Sequence, residues 1–195
     1  MISRLAIATL AGLAALPALA AEDVYVIDPV HSNPQWETRH IGMSTQHGNF
    51  GKATGTITLD RGAKKGSVDV TIDATSIRTY DGRLDQIVKG ERFFNVEKFP
   101  TITFKSSAVA FEGDNVASVD GELTMVGVTK PVTLKVIHFN CGQDPFRKRS
   151  MCAADATVTI KRSDWGMTNG LNIGNPADEV KLMIPVEAYL EQPQG

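Results

Sequence analysis

Apolar and polar side chains alternate one for one along much of this chain. Val68, Val70, Ile72 and Ala74 are interleaved with Asp69, Thr71 and Asp73, and the same period returns at 101–105, 132–136, 154–161 and 180–189. A period of two puts successive side chains on opposite faces of an extended strand, so each stretch has one face for a core and one for water. That is the pattern of antiparallel sheet; parallel strands covered on both faces read as unbroken apolar runs. Weaker stretches at 24–27, 35–41, 50–60 and 116–125 bring the total to about eight or nine strands, a density typical of a sandwich or barrel. In the third of these, Gly51 and Gly55 allow a bulge or sharp bend. So many strands with so little helix must dispose of their sheet edges, and closing into a barrel removes them. The expected class is all-β, an antiparallel barrel of about eight strands, a size that either fills with side chains or holds one small ligand.

One region departs from this period. Between Arg78 and Pro100, Leu84, Ile87 and Val88 recur at helical spacing, followed by Phe93, Phe94 and Phe99. This reads as a short helix and an aromatic plug, a lid at one end of the barrel. A second helical turn is expected at 44–48. No linker, charge run or repeat divides the chain, so 21–195 is read as one domain.

The first twenty residues are read separately. A single charge at Arg4, an apolar run from Leu5 to Leu16, then Pro17 and Ala18-Leu19-Ala20 make a signal peptide cleaved after Ala20. The run is short beside the roughly 20 residues a bilayer span needs, and no later stretch suggests stable membrane insertion. Export changes how Cys141 and Cys152 read: in an oxidising compartment two cysteines pair, here as a structural staple across a polar hairpin loop. Net charge is −2. A phosphate-neutralising surface shows a basic surplus, so nucleic acid is not an expected partner.

Catalytic motifs are missing: there is no Gly-x-Ser-x-Gly elbow, His-Glu-x-x-His pair, dinucleotide fingerprint or phosphate loop. The chain has 4 histidines, and His31, His40 and His47 fall close together in sequence. They carry the alternative reading, a small exported metal-dependent enzyme or metal-binding protein, although none of their spacings is that of a paired ligand motif. Several positions on the inward faces are small: Gly55, Ala74, Gly121, Ala154, Ala156 and Ala188. Small wall residues leave volume inside a barrel or fit its taper. In 35–41 the alternation sets Trp36, Thr38 and His40 on one face and Gln35, Glu37, Arg39 and Ile41 on the other, so an inward Trp36 implies an inward His40.

Several landmarks occur in order. They are Tyr25-Val26-Ile27-Asp28 leading to His31-Ser32, Arg39-His40-Ile41-Gly42, Gly48-Asn49-Phe50, Arg83-Leu84-Asp85 and the run from Phe93 to Phe104. GELTMVGVTKPVTL from Gly121 to Leu134, Arg162-Ser163-Asp164-Trp165-Gly166-Met167 and Asp178-Glu179-Val180-Lys181-Leu182 complete them. Over essentially all of 21–195 the chain resembles the YceI-like family of exported bacterial lipid-binding proteins. The resemblance implies a lipocalin-like barrel with a long apolar tunnel. It also implies a periplasmic carrier of isoprenoid, quinone-like or other long amphiphilic lipids, with no catalysis and no cofactor. On that reading Trp36, Ile72, Phe104, Leu123 and Val158 are expected as tunnel wall, and Phe50, Phe93, Phe94 and Trp165 as rim or plug. His40 is placed near a polar headgroup; Arg39, also considered there, faces solvent by alternation. Two departures stand out. Pro34 and Gln35 suggest a strand that starts late or lies at an edge, and Gly82 and Gly90 suggest a loosened helix. Edge-like strands are compatible with a homodimer, which no residue specifies.

Overall fold

The computed structural model describes residues 22–192; the expected signal segment at 1–20 lies outside them. The strands are β1 (Asp23–Ile27), β2 (Gln35–His40), β3 (Ser44–Phe50), β4 (Ala53–Asp60), β5 (Lys65–Asp73) and β6 (Ile77–Arg78), then β7 (Thr101–Glu112), β8 (Asn115–Met125), β9 (Val128–Gln143), β10 (Ser150–Lys161) and β11 (Glu179–Leu190). One helix, α1 (Gly82–Lys89), lies between β6 and β7. The ring runs β1-β4-β5-β7-β8-β9-β10-β11 and closes through a β1–β11 pairing, giving the expected eight-stranded antiparallel barrel.

Two wall strands, β11 and β9, have stretches paired on one side only. β11 pairs with β1 near Ala188–Leu190 and with β2 along Val180–Met183. β2 pairs in turn with β3, and β3 with β6. Between the β1 and β2 contacts one side of β11 has no strand, and Pro185, which has no N–H to donate, falls in that gap. Ser32 fills part of it. Its hydroxyl accepts from the Glu187 N–H at 3.0 Å and donates to the Glu187 carbonyl at 3.2 Å, standing in for a strand partner. Pro131 follows the same rule: β10 pairs with β9 only from Lys135 onward, so the stretch of β9 around Pro131 is paired with β8 alone.

Two expectations are corrected. Residues 44–48 are not a helical turn but most of β3, which pairs with β2 residue for residue from His40↔Ser44 to Gln35↔Asn49. The segment is too polar to show alternation, and the connection Ile41–Gly42, both at positive φ (45° and 70°), is a tight hairpin turn that brings it back onto β2. The strand after Pro34 does start late, at Gln35, but it lies between β11 and β3 and not at an edge. The two glycines in question bound α1: Gly82 is its first residue and Gly90 its C-cap, while the Asp81 carboxylate caps the other end by accepting from the Arg83 N–H at 2.8 Å. No helix among the described residues is long and apolar enough to cross a membrane.

Cys141 and Cys152 are directly opposite on β9 and β10 and form a disulfide. The loop they subtend folds back along the outside of the wall. Asp144 accepts from the Tyr189 hydroxyl at 2.7 Å, and the Arg147 and Arg149 guanidinium groups lie 4.7 Å and 5.2 Å from the Tyr189 ring centre.

Candidate functional site

The inward faces do not fill the barrel. They enclose an apolar cavity of about 230 Å³. Alternation builds the wall strand by strand: Ile57 and Leu59 from β4, Val68, Val70 and Ile72 from β5, Ile102 and Phe104 from β7. Ala154 and Ala156 of β10 keep that side thin, whereas Ala74 and Ala188 are buried outright beneath neighbouring atoms. Gly55 permits a sharp bend in β4: it takes φ +139°, and the Asp69 carbonyl occupies the place of a side chain. Val88 of α1 and the following Phe93 and Phe94 border the cavity, and Phe94 meets Phe50 edge to face with centroids 5.5 Å apart.

Seven of the ten residues read as ligand contacts border this cavity: Trp36, Phe50, Ile72, Phe93, Phe94, Phe104 and Leu123. Three do not. His40 shares a face with Trp36 and Thr38, but it is the last residue of β2, beyond the Val180↔Thr38 pairing with β11, and does not border the cavity. Val158 packs against the core cluster without reaching the cavity. Trp165 is 2% exposed in a 3₁₀ turn, Arg162–Trp165, where its indole N–H donates to the Leu123 carbonyl at 3.2 Å; it is a core plug. Arg39 faces outward as alternation required, donating to the Thr45 hydroxyl at 2.9 Å and the Met43 carbonyl at 3.1 Å.

Sequence reasoning missed Arg162. Its side chain is 3% exposed and borders the cavity, and no carboxylate among the described residues pairs with it. Burial pushes its pKa down, and carbonyls of Met167, Asn169, Pro176 and Ala177 take up its N–H groups. The guanidinium is thereby a clamp on the segment linking β10 to β11. A buried arginine that gathers loop carbonyls has no period to betray it. Trp36 depends on Gly48 across the β2–β3 ladder: any Cβ at Gly48 would collide with the indole and with the Arg78 carbonyl.

The three histidines proposed as a metal group do not assemble. His47 sits 3.9 Å from Glu37, and His40 lies at the end of β2. Among the described residues, the only three-ligand group close enough to share an ion is Asp28, His31 and Glu187, on the outer wall. It fits a cation poorly. Asp28 Oδ2 already accepts from His31 Nδ1 at 2.8 Å and Arg147 at 3.1 Å, so a guanidinium occupies the carboxylate.

Comparison with known proteins agrees with this architecture. The model of the YceI-like domain matches residues 25–188. Protein YceI of Salmonella arizonae is 36% identical over 179 residues, covering 90% of each chain, and Protein YceI of Salmonella agona is 37% identical over the same length and coverage. Among solved structures, Burkholderia cenocepacia BcnA superposes with a TM-score of 0.71 at 27% identity, covering 83% of this chain and 99% of that one. A polyisoprenoid binding domain from Saccharophagus degradans, described as implicated in plant cell wall breakdown, shares the fold at a TM-score of 0.63 and 15% identity, covering 86% of this chain and 98% of its own. With the family model matched across nearly the whole barrel and curated relatives more than a third identical along it, the chain belongs to the YceI-like family.

Proposed function

We propose that this protein is a periplasmic carrier that holds a long isoprenoid or quinone-like chain inside the barrel and performs no chemistry on it. The observation that carries this reading is the cavity: a continuous apolar interior bordered from Tyr25, Leu59 and Val116 to Val88, Phe93 and Phe94. Burying a hydrocarbon chain gains about 25 cal/mol for each Å² taken from water, and an apolar cavity of this kind stays dry until such a chain enters. The Saccharophagus degradans domain of the same fold is described as binding polyisoprenoid, which supports the same ligand class here. The signal-peptide reading of residues 1–20 and the cross-strand disulfide both support export to an oxidising compartment. A wall of hydrocarbon side chains offers no nucleophile, acid or base to a bound chain, which favours carriage over catalysis.

The test is to purify the protein from its natural host compartment and examine it by native mass spectrometry and organic extraction. Wild-type protein is expected to release a long-chain prenyl lipid. Ala156→Trp, which fills the thin side of the wall, is expected to fold and to lose most of that lipid. Equal loading of the two proteins would overturn the reading.

A further inference from the structure

The cavity is apolar over its whole surface. Gln35, Thr38 and Arg162 border it, but their polar atoms turn away from it. The Thr38 hydroxyl, for instance, donates to the Glu179 carbonyl at 3.0 Å. A polar headgroup drawn inside would lose its water and find no partner, cancelling much of what the chain gains. The headgroup of an amphiphile therefore stays at the border, where polar groups must receive it.

A second hollow, of about 220 Å³, meets that requirement. It shares Gln35 and Trp36 with the cavity and is otherwise bordered chiefly by His47, Asn49, Arg78, Thr79 and Tyr80. Trp36 is the partition between the two spaces, and its indole N–H is buried without an acceptor. Arg78 donates to its neighbour's carbonyl, Ile77, at 2.9 Å and forms no ion pair among the described residues. Asp85, the carboxylate that feels the Arg78 charge, already accepts from the Thr79 N–H and hydroxyl. Glu37, the other acid nearby, is engaged by Lys181 at 3.4 Å and His47 at 3.9 Å. The hollow thus offers donors with spare capacity and one uncommitted cation, directly beside an apolar chamber.

We propose that this hollow is the headgroup site, taking a headgroup rich in oxygen acceptors whose prenyl chain lies in the cavity. The assignment rests on the carrier reading above. Arg78 and Asn49 donate to the headgroup oxygens. Phosphate and quinone headgroups share this acceptor chemistry.

Competition binding separates the outcomes. Probes sharing one triprenyl chain (farnesyl phosphate, a farnesyl benzoquinone and the head-less hydrocarbon farnesene) displace a polarity-sensitive fluorophore from the purified protein. The headed probes are expected to bind about tenfold or more tightly than farnesene. The Arg78→Gln, Asn49→Ala double variant, altered only outside the cavity wall, is expected to lose that margin and still bind farnesene. Loss of margin for the phosphate alone would assign an anionic headgroup; loss for both would assign acceptor oxygens of either kind. Equal binding of headed and head-less probes to wild type, or a margin that survives the double variant, overturns the headgroup site while the carrier reading stands. Failure of every probe to bind overturns the carrier reading, and the headgroup site with it.

Discussion

Asp28 is 8% exposed, and burial alone would push its carboxyl toward the neutral form. Hydrogen bonds from His31, the Val30 N–H and Arg147 outweigh that and hold its pKa below the ordinary value of 3.8. The same contact acts on His31 in the opposite direction: its bond to Asp28, aided by the Glu187 charge, raises it above 6.5. His31 therefore stabilises the fold fully below 6.5 and loses that contribution as pH rises through its raised value. Asp28 stabilises above 3.8 and loses its contribution as pH falls through its depressed value. The pair is at full strength in mildly acidic solution. His31→Gln is expected to lower the Tm most near about pH 5 and least above about pH 8. A Tm difference that stays flat between those limits would show that the pair does not contribute.

At the scale of elements, the disulfide between β9 and β10 closes a loop with a sequence separation of 11. Removing it by Cys141→Ser with Cys152→Ser is expected to cost about 3 kcal/mol, read as a lower denaturant midpoint in urea. An unchanged midpoint would mean that the outer packing of Asp144, Arg147 and Arg149 on Tyr189 holds the hairpin alone. Which elements were legible in sequence follows from what shapes them. Strands such as β5 and β11 carry an alternating core face, and their period is visible without neighbours. β3 is held by β2 and by a tight turn, so its polar sequence shows no period of its own. The cavity wall was legible at Ile72, Phe104 and Leu123 for the same reason as the strands. Alternation gives a side chain's face but not its depth, so it puts Val158 on the tunnel wall, whereas Val158 lies off the cavity. The hollow beside Trp36 joins β2, β3, β6 and the residues that follow β6, and no single stretch of sequence announces it.

The whole barrel is sealed by its shortest ladder, three residue pairs between β1 and β11. A chain ending at residue 178 lacks the strand that touches β1, β2 and β10, and is expected to lose its cooperative thermal transition. A chain beginning at residue 22 is expected to keep it. A sharp transition in the shortened C-terminal form would show that the remaining strands close without β11. The β1–β11 seam also sets an order of events. Its partners are separated by almost the entire length of the domain, so contacts that complete the wall are among the slowest to form. While the polypeptide is still emerging from the ribosome, β1 waits for a neighbour that has not yet been synthesised. Until β11, Glu179–Leu190, arrives, the wall has no second edge to meet β1 and cannot enclose anything.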